Sequence, residues 1–461
     1  MSDFREPING NKIVGESARP ATEPVDNRGA FSRRGLLKAA ATTGSALPFL
    51  SSASLLAITT GSTLPLLSGP SLASAAPSAK PSGDTIVPFH VAIPQSELDD
   101  LRARLALTRW PEKETVPDWS QGVPLAKAQA LVAAWRDHYD WRAFERRVNQ
   151  IPQFLTQIDG LDIHFIHVKS PESNALPIIL THGWPGSFSE FLAIIGPLTD
   201  PVRHGGKASE AFDVVIPSLP GYGFSGKPTT TGWNIKKTAE TWVKLMDRLG
   251  YDRWVAQGGD WGASVTSALG QLKPKGLAGI HLNWAFVFPE VIPDNLAPDE
   301  KRAVEQANVF KTDGIGYFKQ LSTRPQTMGY GLLDSPVALA TYIYEKFQMW
   351  SDNKGDPEEA IALTAMLDDI SLYWLTKSGA SAARFYWENP GNSFAGGVID
   401  VPVAVSVFPR EIYQVPKSWA VATFPQLVYF NEVEKGGHFA ALEQPKLFAE
   451  ELRRAFVTLR T

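Results

Sequence analysis

Apolar and polar positions follow two different rhythms through the middle of the chain. Residues 161–168 (LDIHFIHV) alternate with a period of two, as in a strand, whereas 235–250 repeats apolar residues at helical spacing and ends at Gly250. Together with short apolar runs, these patterns predict strands at 161–168, 176–184, 212–226, 253–259, 277–284, 401–408 and 426–433. Because helical patterns separate most of these strands, we predict an α/β fold with a mostly parallel, doubly wound sheet.

The alternation of strands and helices stops between about residues 286 and 395. This segment is rich in aromatic residues and in helical patterns such as VALATYIYEKFQMW. It is inserted between the strands predicted at 277–284 and 401–408. A block at that point would lie over the carboxyl edge of the sheet, where open α/β sheets bind ligands, so we predict a helical lid.

Helices are also predicted before the sheet begins. The first has Ser96 as its N-cap and three leucines on one face, and two more cover about 125–137 and 141–149. No chemistry is visible in them, and we expect them to form an arm that packs onto the next domain. The predicted parts are an N-terminal helical arm at 85–158, a first core segment at 159–285, the lid at 286–395 and a second core segment at 396–461.

Residues 1–80 differ in kind from the rest of the chain. Arg33 and Arg34, in SRRGLLK, precede a mildly apolar run, and Ala73 and Ala75 supply the small residues of an A-x-A cleavage site. This order predicts a twin-arginine-type export signal with a linker, and therefore a periplasmic or secreted protein. The alternative is a low-complexity tail with a chance arginine pair. Thr, Gly, Ser and Pro interrupt the apolar run, so a stable membrane span is not expected.

Composition excludes several kinds of chemistry. The 461 residues contain no cysteine, which rules out disulfides, a thiol nucleophile and cysteine-ligated metal sites. A formal net charge of −4 gives no bias toward nucleic acid. The 14 tryptophans favour large apolar packing surfaces or an apolar pocket. We expect no metal and no organic cofactor, and the sequence leaves the oligomeric state open.

The segment VAQGGDWGAS (255–264) has the form of a nucleophile elbow, the tight turn between a strand and a helix in G-x-S-x-G hydrolases. Asp260 stands at the nucleophile position, and Gly258 and Gly262 are expected to supply backbone freedom beside it. A carboxylate at this point can attack an sp³ carbon and form an alkyl ester on the enzyme, which suits epoxides and haloalkanes. The alternative role for Asp260 is a helix N-cap.

The other members of a catalytic triad follow the nucleophile in the order acid, then histidine. His438, in EKGGHFAALEQP, is the only histidine after the last predicted strand, and the glycine pair before it permits a turn that points the ring inward. Glu411 follows the strand at 401–408 and is the favoured acid, with Glu290 as the second candidate. A structural loop histidine and a surface carboxylate are the alternative roles for His438 and Glu411.

Two backbone amides are expected to stabilise the oxyanion that forms when the ester is hydrolysed. One belongs to Trp261, directly after the nucleophile, and the other to the THGWPGS loop, most directly Trp184. Water activated by His438 would attack the ester carbonyl of Asp260 itself. Glu411 would orient His438 and stabilise its charged form.

From about residue 85 to residue 461 the chain resembles the microsomal-type epoxide hydrolases of the α/β-hydrolase superfamily. The segments that carry the resemblance are FHVAIPQSELDDLRARL, IDGLDIHFIHVKS, HGWPGS, PSLPGYGFSGKP, GGDWG, LSTRPQT, DSPVALATYIYEKFQMW and FPREIY. The resemblance implies the α/β-hydrolase fold, with Asp260 as the nucleophile, His438 as the base and Glu411 as the acid. The expected substrates are a small lipophilic epoxide and water.

The same resemblance implies two lid tyrosines that donate hydrogen bonds to the epoxide oxygen. Tyr317, in GIGYFKQLSTRPQ, and Tyr386, in ARFYWENP, match these positions. A phenol can stabilise and protonate the alkoxide that develops as the ring opens. Packing inside the lid is the alternative role for each of them. Tyr330, Tyr373 and Trp374 are expected to shape the pocket.

Three other functions compete with epoxide hydrolysis. A haloalkane dehalogenase needs N–H donors for the halide, and Trp261 could supply one, but Trp184 stands where a side-chain amide donor would be required. A non-catalytic binding protein on the same fold would not need the triad. A serine esterase is disfavoured because the chain contains no G-x-S-x-G sequence.

Overall fold

The computed structural model of the protein describes residues 81–390 and 399–460, so the predicted export signal at 1–80 lies outside the described residues. Within the described ranges, nine strands form one sheet in the order β1-β2-β3-β5-β4-β6-β7-β8-β9. The strands are β1 (Ile86–Pro88), β2 (Gln153–Ile158), β3 (Leu161–Val168), β4 (Leu176–Thr181), β5 (Phe212–Pro217), β6 (Trp254–Gly258), β7 (Leu277–Leu282), β8 (Val403–Val407) and β9 (Leu427–Glu432).

The sheet is parallel from β5 through β9 and antiparallel at its other edge, where β1, β2, β3 and β5 pair. Every residue of β6 and β8 is buried, as expected for parallel strands covered on both faces. The core helices are α4 (Ile195–Thr199), α5 (Ile235–Arg248), α6 (Asp260–Leu272), α13 (Lys417–Thr423), α14 (Ala440–Glu443) and α15 (Pro445–Ala455). The predicted α/β class with a mostly parallel sheet is confirmed.

The N-terminal arm contributes to the sheet as well as supplying helices. Its helices are α1 (Gln95–Ala106), α2 (Leu125–Asp137) and α3 (Trp141–Val148). The predicted N-cap Ser96 is wrong, because α1 begins one residue earlier and Pro94 precedes it. Strands β1 and β2 were not predicted. Strand β1 has only three residues and pairs with β2, which lies more than 60 residues later, whereas β2 forms a local hairpin with β3 whose turn signal at Asp159 and Gly160 was overlooked.

The segment between β7 and β8 is helical, as predicted. Its helices are α7 (Pro298–Val309), α8 (Gly316–Thr323), α9 (Pro325–Asp334), α10 (Pro336–Trp350), α11 (Leu363–Leu375) and α12 (Gly379–Glu388). Residues 391–398, at the end of the predicted lid, lie outside the described residues. Within the described ranges, no helix is both long and apolar enough to cross a membrane.

The arm packs against the lid helices through polar contacts between buried or half-buried side chains. The indole N–H of Trp135 donates to Ser371 Oγ at 2.8 Å, and the Tyr139 hydroxyl donates to Asp368 Oδ1 at 2.8 Å. Both acceptors lie on α11. The arm therefore helps to fix the position of the lid above the carboxyl ends of the parallel strands.

Candidate active site

Asp260 occupies a strained turn between β6 and α6. Its φ angle is 50°, in the left-handed region that costs a residue with a side chain about 1–2 kcal/mol. Asp260 is the first residue of α6, Gly259 is its N-cap, and no side chain caps the helix. The alternative role of Asp260 as an N-cap is therefore wrong, and the geometry is that of a nucleophile elbow.

The glycines around Asp260 are needed for close approach of backbones rather than for unusual φ angles. A Cβ at Gly258 would overlap the Gly262 carbonyl group, and a Cβ at Gly262 would overlap the carbonyl oxygen of Thr181. Neither glycine has a positive φ angle; the strained residue is Asp260 itself. The expectation that these glycines supply backbone freedom is therefore wrong, because their missing side chains instead let α6 start against β4 and β6.

The Asp260 carboxylate lies between a backbone amide and an imidazole. The Trp184 N–H donates to Oδ1 at 2.8 Å, and His438 Nε2 lies 3.4 Å from Oδ2. A Cβ at Gly183 would overlap the Asp260 side chain, so the HGWP loop can hold the carboxylate only with glycine at that position. Trp184, a predicted oxyanion donor, thus contacts the predicted nucleophile directly.

His438 and Glu411 form a buried pair on the far side of the imidazole. His438 Nδ1 lies 2.7 Å from Glu411 Oε1, whereas the alternative acid Glu290 is exposed. Burial alone would lower the pKa of His438, but Glu411 and Asp260 outweigh it and hold this pKa well above 6.5. The two neighbouring carboxyl groups therefore favour the protonated form of the ring in the free enzyme.

The loop that carries His438 is held by acceptors that sequence reasoning missed. Glu443 accepts the N–H groups of Gly437 and Phe439, each at 3.0 Å. The His438 N–H donates to the carbonyl oxygen of Trp350 on lid helix α10 at 2.9 Å. As predicted, the glycine pair before His438 permits a turn, since Gly436 has a φ angle of 103°, in the left-handed region that favours glycine. A glutamate five residues after the histidine is the sequence signal for this support.

Tyr317 and Tyr386 lie in an aromatic cluster with the two predicted oxyanion residues. The Tyr317 ring stacks on Trp184 at 5.1 Å between centroids, and Tyr386 meets Trp184 at 5.8 Å and Trp261 at 4.8 Å. Burial and the charge of Asp260 raise the pKa of Tyr317 well above 10, and burial, Tyr317 and Asp260 do the same for Tyr386. Both phenols are therefore protonated donors on the lid side of Asp260.

The other aromatic residues predicted to shape the pocket have different positions. Tyr330 is 69% exposed on α9, so its predicted place in the pocket is wrong; helix periodicity turns this side chain to solvent. Tyr373 is buried and its hydroxyl donates to the carbonyl oxygen of Gly186 at 2.8 Å, which supports the HGWPGS loop. Trp374 is buried under the Arg104 guanidinium of the arm.

Within residues 81–390 and 399–460, no group of three or more His, Asp or Glu side chains has the arrangement of a metal site.

Residues 86–191 match the family model "Epoxide hydrolase N terminus", and 177–310 match "alpha/beta hydrolase fold". Epoxide hydrolase 1 of Oryctolagus cuniculus is 36% identical over 410 residues, which cover 82% of this chain and 90% of the relative. The chain belongs to the epoxide hydrolase family. It is an enzyme that hydrolyses epoxides.

Two other proteins similar to this epoxide hydrolase are also named epoxide hydrolases. A Stigmatella aurantiaca protein named "Putative epoxide hydrolase" is 61% identical over 376 residues, 81% of this chain and 86% of the relative. The structure of Aspergillus niger epoxide hydrolase is 35% identical with a TM-score of 0.73, and covers 81% of this chain and 96% of that one. The α/β-hydrolase fold is confirmed. Neither dehalogenation nor a non-catalytic role gains support from these similarities.

Lys346 is a second feature of this epoxide hydrolase that sequence reasoning missed. Its side chain is 4% exposed on α10 and pairs with Glu345 at 3.0 Å. Its ammonium group lies 4.7 Å from the centroid of the Tyr317 ring and 5.5 Å from that of Trp350. A cation over a phenol face is attracted by the ring, so Lys346 fixes the Tyr317 ring near the nucleophile.

Because His438 pairs with Glu411, substitution of Glu411 is expected to lower kcat far more than substitution of the other candidate acid, Glu290. In this epoxide hydrolase, Glu411→Gln is expected to lower kcat about 100-fold or more, because the imidazole loses the carboxylate that orients it. Glu290→Gln, the matched control at an exposed position, is expected to leave kcat unchanged. Steady-state diol formation measures both. A larger loss in the Glu290 variant would contradict the assignment.

Proposed function

We propose that this enzyme opens epoxides by covalent catalysis at Asp260. The observation that carries the proposal is the position of one carboxylate between the Trp184 amide and the His438–Glu411 pair. Oδ2, the oxygen that faces His438, attacks an epoxide carbon. The carbon–oxygen bond of the ring breaks, the electron pair passes to the epoxide oxygen, and a phenol of the Tyr317–Tyr386 pair donates its proton.

The second step returns the carboxylate. Esterification removes the charge of Asp260, one of the two carboxylates that raise the pKa of His438. The ring can therefore pass its proton to the phenolate left by ring opening and then act as a base. It takes a proton from water, and the hydroxide oxygen bonds to Cγ of Asp260. The electron pair moves to Oδ1, where the amides of Trp184 and Trp261 stabilise it. Collapse of this intermediate breaks the bond between Cγ and the alkyl oxygen, which takes the proton of the new carboxyl group and leaves as the diol.

Lipophilic epoxides are the substrate class that we propose. Trp184 and Trp261 are buried beside the nucleophile, and Phe318 and Phe385 pack against Trp261. An apolar, aromatic wall with few polar groups favours hydrocarbon substituents on the oxirane. Conversion of such reactive electrophiles to diols would detoxify them, and we propose this role.

Diol formation from styrene oxide, with bromide release from a bromoalkane as the comparison, tests the activity directly. We expect styrene oxide to be converted to its diol and the bromoalkane to be left intact. Steady bromide release without diol formation would overturn the proposal in favour of dehalogenation. Consumption of neither compound, and of no other lipophilic epoxide, would also contradict it.

The two lid phenols are expected to act in ring opening alone. Tyr317→Phe and Tyr386→Phe should each slow alkyl-enzyme formation about 10-fold, and the double variant about 1000-fold, because the second phenol still serves in each single variant. Ester hydrolysis should be unchanged. Rapid-quench measurement of epoxide consumption checks this. The exposed Tyr330→Phe is the control, and wild-type ring opening in the double variant would refute the role.

We also propose that the enzyme is exported through its N-terminal twin-arginine-type segment. The support is the order of Arg33 and Arg34, the mildly apolar run and the small residues Ala73 and Ala75. Replacement of both arginines by lysine should leave uncleaved enzyme inside the cell, whereas the unchanged chain should appear outside the cytoplasm and lack its first residues. Cell fractionation with N-terminal sequencing measures this. Identical location and N-terminus for both chains would refute export by this route.

A further inference from the structure

A cavity of about 20 Å³ lies against the side chains of Asp260 and His438. A buried cavity holds a water molecule when it offers roughly 10–15 Å³ and two or more polar partners. Glu190 and Asn283 add polar groups to its wall, and Phe191 belongs to its apolar part. The cavity therefore has the size and the polarity for one water molecule next to the nucleophile.

This cavity is lined by residues of the core rather than of the lid. None of the described residues of α7–α12 lines it. Tyr317 and Tyr386, the two proposed donors to the epoxide, instead lie on lid helices α8 and α12, and their rings contact the Trp184 ring. The epoxide and a water molecule in the cavity would therefore reach Asp260 from different directions.

Glu190 is held beside the nucleophile by the same loop that binds Asp260. A Cβ at Gly186 would overlap Oε1 of Glu190, just as a Cβ at Gly183 would overlap the Asp260 carboxylate. The two glycines of HGWPG thus make room for two carboxyl groups, one that is the proposed nucleophile and one to which the mechanism above gives no role. Glu190 lines the cavity with Asp260 and His438.

The surroundings of Glu190 favour the neutral form of its carboxyl group. Burial and then the nearby Asp369 raise the pKa of Glu190 well above 4.5. Asp369 does not line the cavity and accepts a hydrogen bond from Ser187 Oγ at 2.6 Å. A protonated Glu190 presents a carbonyl acceptor to the cavity without placing a second negative charge beside Asp260.

We propose that Glu190 positions the hydrolytic water, with its carbonyl oxygen accepting one water hydrogen while His438 Nε2 accepts the other. Both hydrogens of the water are then engaged, and an oxygen lone pair is directed at Cγ of the Asp260 ester. His438 removes its proton as the new oxygen–carbon bond forms, and the electron pair passes to Oδ1. This inference rests on the covalent mechanism proposed above, since direct attack of water on the epoxide would require no water at Cγ.

Single-turnover kinetics of three variants test the role of Glu190. Enzyme in excess is mixed with styrene oxide, and epoxide loss, diol release and the mass of the Asp260 peptide are followed by rapid quench. In Glu190→Met we expect ring opening close to the wild-type rate and ester hydrolysis about 10- to 100-fold slower, because the water is displaced from its reactive position. Glu190→Gln keeps the carbonyl acceptor and should retain most of the rate. Glu290→Gln, the control at an exposed position, should match the wild type.

Several results would overturn the inference. Wild-type ester hydrolysis in Glu190→Met would remove the role, and equal losses of ring opening and hydrolysis would make it structural. Hydrolysis as slow in Glu190→Gln as in Glu190→Met would show that a proton or charge, rather than an acceptor, is needed. The same selective defect in Glu290→Gln would show that the effect does not belong to the cavity. Absence of an alkyl-enzyme in the wild type would instead overturn the covalent mechanism itself.

Discussion

Replacement of Asp260 by asparagine is expected to lower kcat by about four orders of magnitude or more, the scale seen when a covalent nucleophile is removed. Asparagine is nearly isosteric with aspartate, so it can occupy the same space against Gly183 and accept the Trp184 amide. It cannot form the alkyl ester, because a neutral amide is a poor nucleophile at an sp³ carbon. Diol formation from styrene oxide measures the loss.

A comparison of thermal unfolding separates loss of chemistry from loss of fold in this variant. Asp260 adopts a φ angle of 50°, which asparagine tolerates at least as well as aspartate, so the midpoint of unfolding should change little. The mass of the peptide that contains residue 260 verifies that the amide is intact during the assay. Turnover within about 10-fold of the wild type by the intact variant would remove Asp260 from the nucleophile role.

Replacement of His438 by glutamine is expected to trap the alkyl-enzyme. Asp260 and the two phenols remain, so roughly one equivalent of epoxide should be consumed rapidly for each active site. Diol release should then be slower by about 1000-fold or more, because no base activates water. The backbone contact of residue 438 with Trp350 does not involve the imidazole, and glutamine can preserve the loop.

Rapid quench followed by intact-mass measurement reports on the His438 variant. The mass should rise by that of one epoxide and stay raised for minutes, whereas the wild type should return to its original mass. Failure to consume even one equivalent would show that His438 is needed for ring opening. That result would contradict the proposal that His438 acts only in hydrolysis of the ester. A normal rate of diol release would remove its role as the base.

The elements that sequence could predict are those whose information is local. Helix α2 and strand β3 have the predicted limits because strong periodicity and clear boundaries set them. Asp260, Glu411 and His438 could be placed because each follows a predicted strand, and strands β6, β8 and β9 lie close together in the sheet. The carboxyl ends of parallel strands meet at one edge, which brings these side chains to one place.

The features that sequence could not predict depend on contacts between distant segments. Strand β1 is defined by pairing with β2, which lies more than 60 residues later, and the roles of Gly183 and Gly186 become visible only when the neighbouring carboxyl groups are in place. The helical pattern around Lys346 does not indicate that its ammonium group lies over the Tyr317 ring. From the sequence alone, Glu190 looks like an acidic residue in the first turn of a helix. Its place in the cavity wall beside Asp260 is visible only in the structure.

A single turnover of the enzyme in water enriched in heavy oxygen tests the central claim most directly. Enzyme in excess over styrene oxide should give a first diol without the label, because its new oxygen comes from Asp260. The peptide that contains Asp260 should gain the label, because water attacks the ester carbonyl. A labelled diol with an unlabelled Asp260 would show direct attack of water on the epoxide and would contradict the covalent mechanism.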